Sequence, residues 1–204
     1  MGKKWEELAE DKTLAKTIAS LESKGFKVYV AEDGKGAFKK VFEIIPEGAE
    51  VMDNTSTTLD TLGISKEIQE SGKYQSVRKK VMSSNQKDMR DAMRKMVSMS
   101  DYAIGSANAV TENGEIVIAS NSGSQLPTYA FNANKVIWVV GTQKIVKNID
   151  EALERIEKYS LPLEDARAQK AYGMHSGINK ILIVKGEGMP GRIQIIFVKE
   201  KLGF

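Results

Sequence analysis

Apolar positions along this chain change their period repeatedly, and each change marks an element. Trp5, Leu8, Ala15, Ile18 and Leu21 recur at roughly helical spacing ahead of Gly25. Glycine tolerates the positive φ of a helix end, so the spacing predicts an N-terminal helix over about 5–24. The run FKVYV at 26–30 reads as a strand and Asp33-Gly34 as a turn. Phe38, Val41, Phe42 and Ile45 then form one face of a second helix that Pro46 stops. Val51 and Met52 make a short strand before the polar DNTSTT at 53–58, after which Leu59 and Leu62 open another helix ahead of Gly63. Met89, Ala92, Met93, Met96 and Val97 predict an amphipathic helix over 85–99 whose methionines act as adaptable core filler. In 102–120 two apolar segments flank Asn113-Gly114, a dipeptide suited to tight hairpin turns. The polar SNSGSQLP at 120–127 leads to the unbroken apolar run KVIWVVG at 135–141 and to a helix carrying Ile149, Ala152, Leu153 and Ile156. The β-branched runs ILIV at 181–184 and IQIIFV at 193–198, joined through GEGMPGR, read as a closing hairpin or paired strands.

Strands that alternate with helices and are apolar throughout belong in a sheet covered on both faces. The expected fold is therefore α/β: a single domain with a mainly parallel sheet that includes 27–30, 102–105, 135–140 and 181–184, flanked by helices. Ligands of such sheets sit beyond the carboxyl ends of the strands. The polar loops 53–58, 111–115 and 120–127 all follow or interrupt strands and are the candidates for that position.

Composition narrows the function classes. At 204 residues and 41% hydrophobic content the chain is long enough for one sizeable core. Its 30 basic and 27 acidic residues are scattered, leaving a net charge of +3 without the concentrated positive field that duplex binding needs, so nucleic acid is not an expected partner. The absence of cysteine excludes disulfides, thiol nucleophiles and a self-held iron–sulfur cluster, and no metal site is expected. No segment approaches the roughly 20 apolar residues of a membrane span and the N-terminus carries no signal-peptide run, so a cytoplasmic protein is expected.

Within DNTSTT, Asn54 and the hydroxyls of Ser56, Thr57 and Thr58 could hold a phosphate or carboxylate with backbone N–H groups of the following helix; plain N-capping by Ser56 or Thr57 is the alternative. The segment lacks the spacing of a P-loop, and no G-x-G-x-x-G follows a strand. In TENGE, Glu112 stands just before the turn formed by Asn113 and Gly114, where it could act as nucleophile or base or remain a solvated turn residue. SNSGSQLP offers Gly123 for close backbone approach and Ser124 and Gln125 as neutral hydrogen-bonding groups, equally compatible with a ligand loop and a surface loop. His175 has no second histidine or carboxylate pair near it in sequence, which favours a structural role.

The segments DNTSTTLDTLGI, SDYAIGSANAVTENGEIVIAS, LPTYAFNANKVIWVVG and GRIQIIFVKEKLGF resemble the lactate-utilisation, or LUD-domain, family over nearly the whole chain. The resemblance implies a fold like that of ribose-5-phosphate isomerase, glucosamine-6-phosphate deaminase and the coenzyme A transferases. It also implies a cytoplasmic role tied in some members to lactate oxidation, beside separate iron–sulfur proteins. Where family members often carry A-E-T-G-T this chain has Thr111-Glu112-Asn113-Gly114-Glu115, closer to the S-E-N-G motif of coenzyme A transferases, in which the glutamate is the covalent nucleophile.

Three functions follow. The first is a lactate-utilisation protein binding a small anionic metabolite, a carboxylate or a phosphorylated compound, alone or as a non-redox subunit beside iron–sulfur partners. The second is a coenzyme A transferase-like or isomerase-like enzyme using Glu112. The third is a regulatory binding module using the same crevice. The cofactor and the substrate stay open, as does assembly into a homo-oligomer. Neighbouring genes for redox subunits would favour the first reading, and a metabolite screen by thermal shift would name the ligand class.

Overall fold

In the computed structural model, which describes residues 2–83, 91, 95 and 100–204, the strands form two sheets. The larger sheet has six strands: β1 (Lys27–Ala31), β10 (Ile193–Val198), β7 (Lys135–Gly141), β4 (Tyr102–Gly105), β2 (Glu50–Asp53) and β3 (Gln75–Ser76), in that order. Every pairing in it is parallel. Its centre is β10 and β7, whose side chains are buried on both faces apart from partly exposed Lys135. That two-sided burial is the reason these two runs contain almost no polar residue.

Alternate residues of the central strands feed two different cores. Val136, Trp138, Val140, Ile195 and Phe197 face one side, whereas Ile137, Val139, Ile196 and Val198 face the other. On the second side they pack against Ala37 and Val41 of α2 (Gly34–Ile44), Leu59 of α3 (Thr57–Thr61) and Ile64 and Ile68 of α4 (Ile64–Glu70). The α2 helix starts where the sequence places a turn, because the Asp33 side chain accepts a hydrogen bond of 2.7 Å from the Gly36 N–H. On the first side lie α1 (Asp11–Glu22) and the smaller sheet, β8 (Ile145–Val146), β5 (Ala109–Thr111), β6 (Ile116–Ser120) and β9 (Lys180–Val184) in that order. Val110, Ile116 and Ile118 point into this shared core. Ala109 and Val117 point the other way, to Ala152 of α6 (Ile149–Arg155), Trp5 and Tyr159. Each fully buried side chain of this size contributes roughly 1.5–3 kcal/mol, so sheets and helices are tied together through common layers. A further helix, α5 (Val77–Met82), follows β3, and α6 continues through a wide turn at Ile156–Ser160 into α7 (Leu161–Tyr172).

Three expectations need correction. The N-terminal helix begins at Asp11, not near residue 5: Gly2–Trp5 forms a separate short turn in which Trp5 is buried beside Tyr159, ring centroids 6.2 Å apart, while Leu8 is exposed. The run 181–184 is not in the parallel sheet, and it does not pair with 193–198. It forms the antiparallel edge β9 beside β6, with Ile181 and Ile183 exposed, while 193–198 inserts between β1 and β7. A strand alternating between half-buried and exposed positions fits an edge, and one buried at every position and apolar apart from Gln194 fits a centre. The five apolar positions that predict the 85–99 helix lie outside the described residues. The hairpin at Asn113-Gly114 is present as the β5–β6 turn, with Gly114 at φ +77°. Among the described residues no helix is long and apolar enough to cross a membrane.

Candidate functional site

Strands β7, β4 and β2 are neighbours and parallel, so their carboxyl ends open on the same edge of the sheet. The chain leaving each of them builds a wall of one crevice of about 340 Å³, within the range of small-molecule sites. Asp53 ends β2 and residues 54–58 follow it, 106–108 follow β4, and Lys144 follows β7. The loop after β6, the α7 face and the tail residues Gly203 and Phe204 complete the lining.

On the β2 side, Asp53 is fully buried. Its carboxylate accepts hydrogen bonds from the Gln69 side-chain amide and from the Ser76 hydroxyl at 3.4 Å, with the Arg78 guanidinium 3.8 Å away. Burial outweighs these partners and pushes the carboxyl up to about 6. Next to it Asn54 is buried, its Nδ2 donating to Thr128 Oγ1 at 3.4 Å. Behind Asn54 stands Tyr129, whose hydroxyl is raised by burial and whose ring meets Trp138 edge-on. A Cβ on Gly105 would lie 1.8 Å from the Tyr129 hydroxyl oxygen, so β4 ends on glycine to admit this ring. Ser56 caps α3, accepting from the Leu59 N–H at 3.4 Å. Thr58 is buried, with Oγ1 donating to the Leu202 carbonyl at 3.3 Å.

The inner wall holds the most unusual group. Lys144 is 2% exposed, and its Nζ reaches Thr58 Oγ1 at 3.4 Å, Ser106 Oγ at 3.3 Å and the Ala107 carbonyl at 3.2 Å. Burial, then the charge of Arg155, lowers this amine to about 7. Arg155 is fully buried and donates through Nη1 to the Asn108 carbonyl at 2.6 Å and to Ser160 Oγ at 3.0 Å, both residues of the crevice wall. Its Nε and Nη2 have no hydrogen-bond partner among the described residues. Burial lowers its pKa to about 10, and its guanidinium lies 5.1 Å from the centre of the Tyr159 ring. Among the described residues no carboxylate forms an ion pair with Lys144 or Arg155. The other buried arginine, Arg192, shows the usual arrangement: its Nε is 2.7 Å from a Glu187 carboxylate oxygen and its remaining donors reach backbone carbonyls.

At the mouth, Ser120 Oγ donates to Gln125 Oε1 at 2.9 Å and accepts from the Gly123 N–H at 2.8 Å, which shapes the loop that presents Ser122 and Ser124. Opposite, Arg167 is held by Glu164 through two bonds of 2.7 Å, which raise its pKa further.

The crevice thus brings together Asn54, Ser56, Thr57, Thr58, Ser124 and Gln125 from two loops far apart in sequence. It does not include Gly123, where an added Cβ would meet the Lys180 side chain at 2.5 Å. Nor does it include Glu112, Asn113 and Gly114. The first residues after β4 stand at the crevice, and β5 carries the chain away from it. The TENG turn therefore lies against α1: Glu112 pairs with Lys16 at 2.8 Å, the Asn113 carbonyl accepts from Lys24, and a Cβ on Gly114 would touch the Ser20 backbone at 2.9 Å. His175 is exposed and held by Asp165 at 3.0 Å, outside the lining. Sequence reasoning missed Lys144, Arg155, Asp53 and Ser106. Two signals were readable: Lys144 follows the most apolar strand at its carboxyl end, and Arg155 interrupts the apolar stripe of Ala152 and Ile156.

Known proteins supply the relationship. No curated protein matches the chain at a significant level. Among solved structures, a DUF162 family protein from Deinococcus radiodurans superposes with a TM-score of 0.56 at 14% identity, covering 94% of this chain and 99% of that one, which establishes a shared fold. The LUD domain family model matches residues 14–198, the whole span from the start of the shared core in α1 to the last residue of the central strand β10, and the chain therefore belongs to the LUD-domain family.

Proposed function

We propose that this LUD-domain protein binds a small carboxylate or phosphorylated metabolite in the crevice at the carboxyl ends of β2, β4 and β7. The observation that supports the reading most is the pair of buried basic groups, Lys144 on the inner wall and Arg155 behind it, with no carboxylate partner among the described residues. Desolvating an unpaired cation costs several kcal/mol. An anion in the crevice would offset that cost, and the hydroxyls of Ser56, Thr57, Ser106 and Ser124 around it can donate to anionic oxygens. Because the chain has no cysteine, any oxidation in which it takes part draws on separate iron–sulfur subunits or a soluble cofactor, and we assign it the role of a non-redox, ligand-binding subunit in lactate-utilisation-type metabolism. The location of Glu112 on the α1 side gives the transferase-like reading no support.

The test is a thermal-shift panel containing lactate, pyruvate, inorganic phosphate and small phosphosugars. A true ligand at about one hundred times its Kd adds about 2.7 kcal/mol, a rise of several degrees for a chain of this length. Lys144→Met should weaken that ligand by about 10- to 100-fold, the loss of one charged hydrogen bond. No shift with any anion, or an equal shift in Lys144→Met, would remove the basis of the reading.

A further inference from the structure

Resting on the binding reading above, we propose that Lys144 is a nucleophile that forms an imine with the carbonyl of a small 2-oxo acid. A lysine that served only as a cation would be expected to sit near a carboxylate or to reach water. Lys144 does neither: it is 2% exposed on the crevice wall, no carboxylate among the described residues pairs with it, and the charge that acts on it is that of the buried Arg155. Desolvation and a neighbouring positive charge are the two conditions that leave a lysine amine neutral and nucleophilic. The surroundings of Nζ accept that neutral state without an orphaned group. The Ala107 carbonyl takes one N–H, one hydroxyl of Thr58 and Ser106 accepts the other, and the second hydroxyl can donate to the lone pair, since a hydroxyl serves in either role. The lowered pKa of the amine, about 7, agrees with this geometry.

The chemistry balances without an oxidant. The Nζ lone pair attacks the carbonyl carbon and the carbonyl electron pair moves to oxygen, giving a carbinolamine. The two amine protons then leave with that oxygen as water, and a C=N bond replaces C=O. The wall hydroxyls can relay the protons, and the charge of Arg155, held behind the wall by Asn108 and Ser160, favours an anionic substrate in the crevice. A 2-oxo acid is the ligand class because it joins a carboxylate, which the charge of Arg155 and the wall hydroxyls favour, to the carbonyl that a neutral amine requires.

The experiment incubates the full chain with pyruvate or glyoxylate and sodium cyanoborohydride near pH 7, followed by intact mass and peptide mapping, with thermal shift run in parallel. The expected result with pyruvate is one adduct per chain, heavier by pyruvic acid less one oxygen atom, on Lys144, formed faster than on surface lysines. Lys144→Arg keeps a cation but cannot form the imine, and should lose the adduct; if it fails to fold, the mapping of wild type decides alone. A melting-temperature rise with pyruvate or glyoxylate but no label on Lys144 overturns the imine and leaves anion binding standing. Label spread evenly over surface lysines overturns it as well. If neither oxo acid binds nor labels while lactate or phosphate binds, the imine is again excluded and the binding reading survives.

Discussion

Single side chains in the crevice make the stability of the protein depend on pH in a way whose sign can be worked out. Asp53 titrates at about 6 in the folded chain against 3.8 ordinarily. Between those values the folded state holds the extra proton, so the Asp53 contribution is fully present below 3.8 and is lost as pH rises through 6. Lys144 runs the other way, with about 7 in the fold against 10.5. Between 7 and 10.5 the unfolded chain binds more protons, so stability rises with pH across that window, and the burial penalty is full below 7. Urea denaturation from pH 4 to 10 checks both. Asp53→Asn should abolish a fall on the order of 3 kcal/mol between pH 4 and 6.5, two pKa units at about 1.4 kcal/mol each. Lys144→Met should flatten the rise above pH 7. Unchanged slopes in either variant would mean that these groups are solvated.

At the level of elements, the two late β-branched runs separate what composition alone treats as equal. In β10, Ile196 is fully buried between the parallel sheet and the α2–α4 layer, whereas Ile183 of β9 is exposed on an antiparallel edge. Ile196→Ala should cost about 2–5 kcal/mol, the range for a core isoleucine that leaves a cavity. Ile183→Thr should change stability by no more than about 0.5 kcal/mol, as surface substitutions do. Comparable losses from the two would contradict the assignment of 181–184 to an edge. The β5–β6 turn shows the same dependence on position. Its Gly114 takes a positive φ and lies against α1, and this close packing explains why the turn is short and why Glu112 faces Lys16.

Across the whole molecule, the last residues join layers that the sheets keep apart. Leu202 is buried in the core beneath α2–α4, while its carbonyl accepts from Thr58 and, at 2.9 Å, from Gln143; Phe204 packs against the Trp5–Tyr159 cluster beyond the smaller sheet. Gly203 between them takes a positive φ and passes so near Thr58 that a Cβ would lie 2.6 Å from its hydroxyl oxygen. Ending the chain after Lys201 should therefore lower stability by about 2–5 kcal/mol through loss of Leu202 alone. It should also reduce the ligand-induced thermal shift, because the floor under Thr58 and Lys144 goes with it. A truncated chain that keeps both its melting temperature and its ligand shift would show that the tail is dispensable.

The sequence by itself determined those features that depend on local pattern. Strand and helix periods gave the α/β class, the nearly all-apolar 135–141 pointed to a strand buried on both faces, Asn113-Gly114 suited a hairpin, and hydroxyl-rich loops at 53–58 and 120–127 pointed toward the edge where the crevice opens. Only the tertiary structure decided which strands share a sheet, because ILIV and IQIIFV are both β-branched runs that local propensity does not assign to an edge or a centre. Only it decided which polar residues face one another. Glu112 looked prominent in its motif yet turns to α1, while Lys144, a basic residue after a strand, came to line the crevice and Arg155, within a helix, to stand buried behind its wall. The physical reason is that propensity and periodicity act over a few residues. Desolvation and charge pairing depend on groups brought together from 53, 106, 144 and 155, and no local pattern encodes those distances.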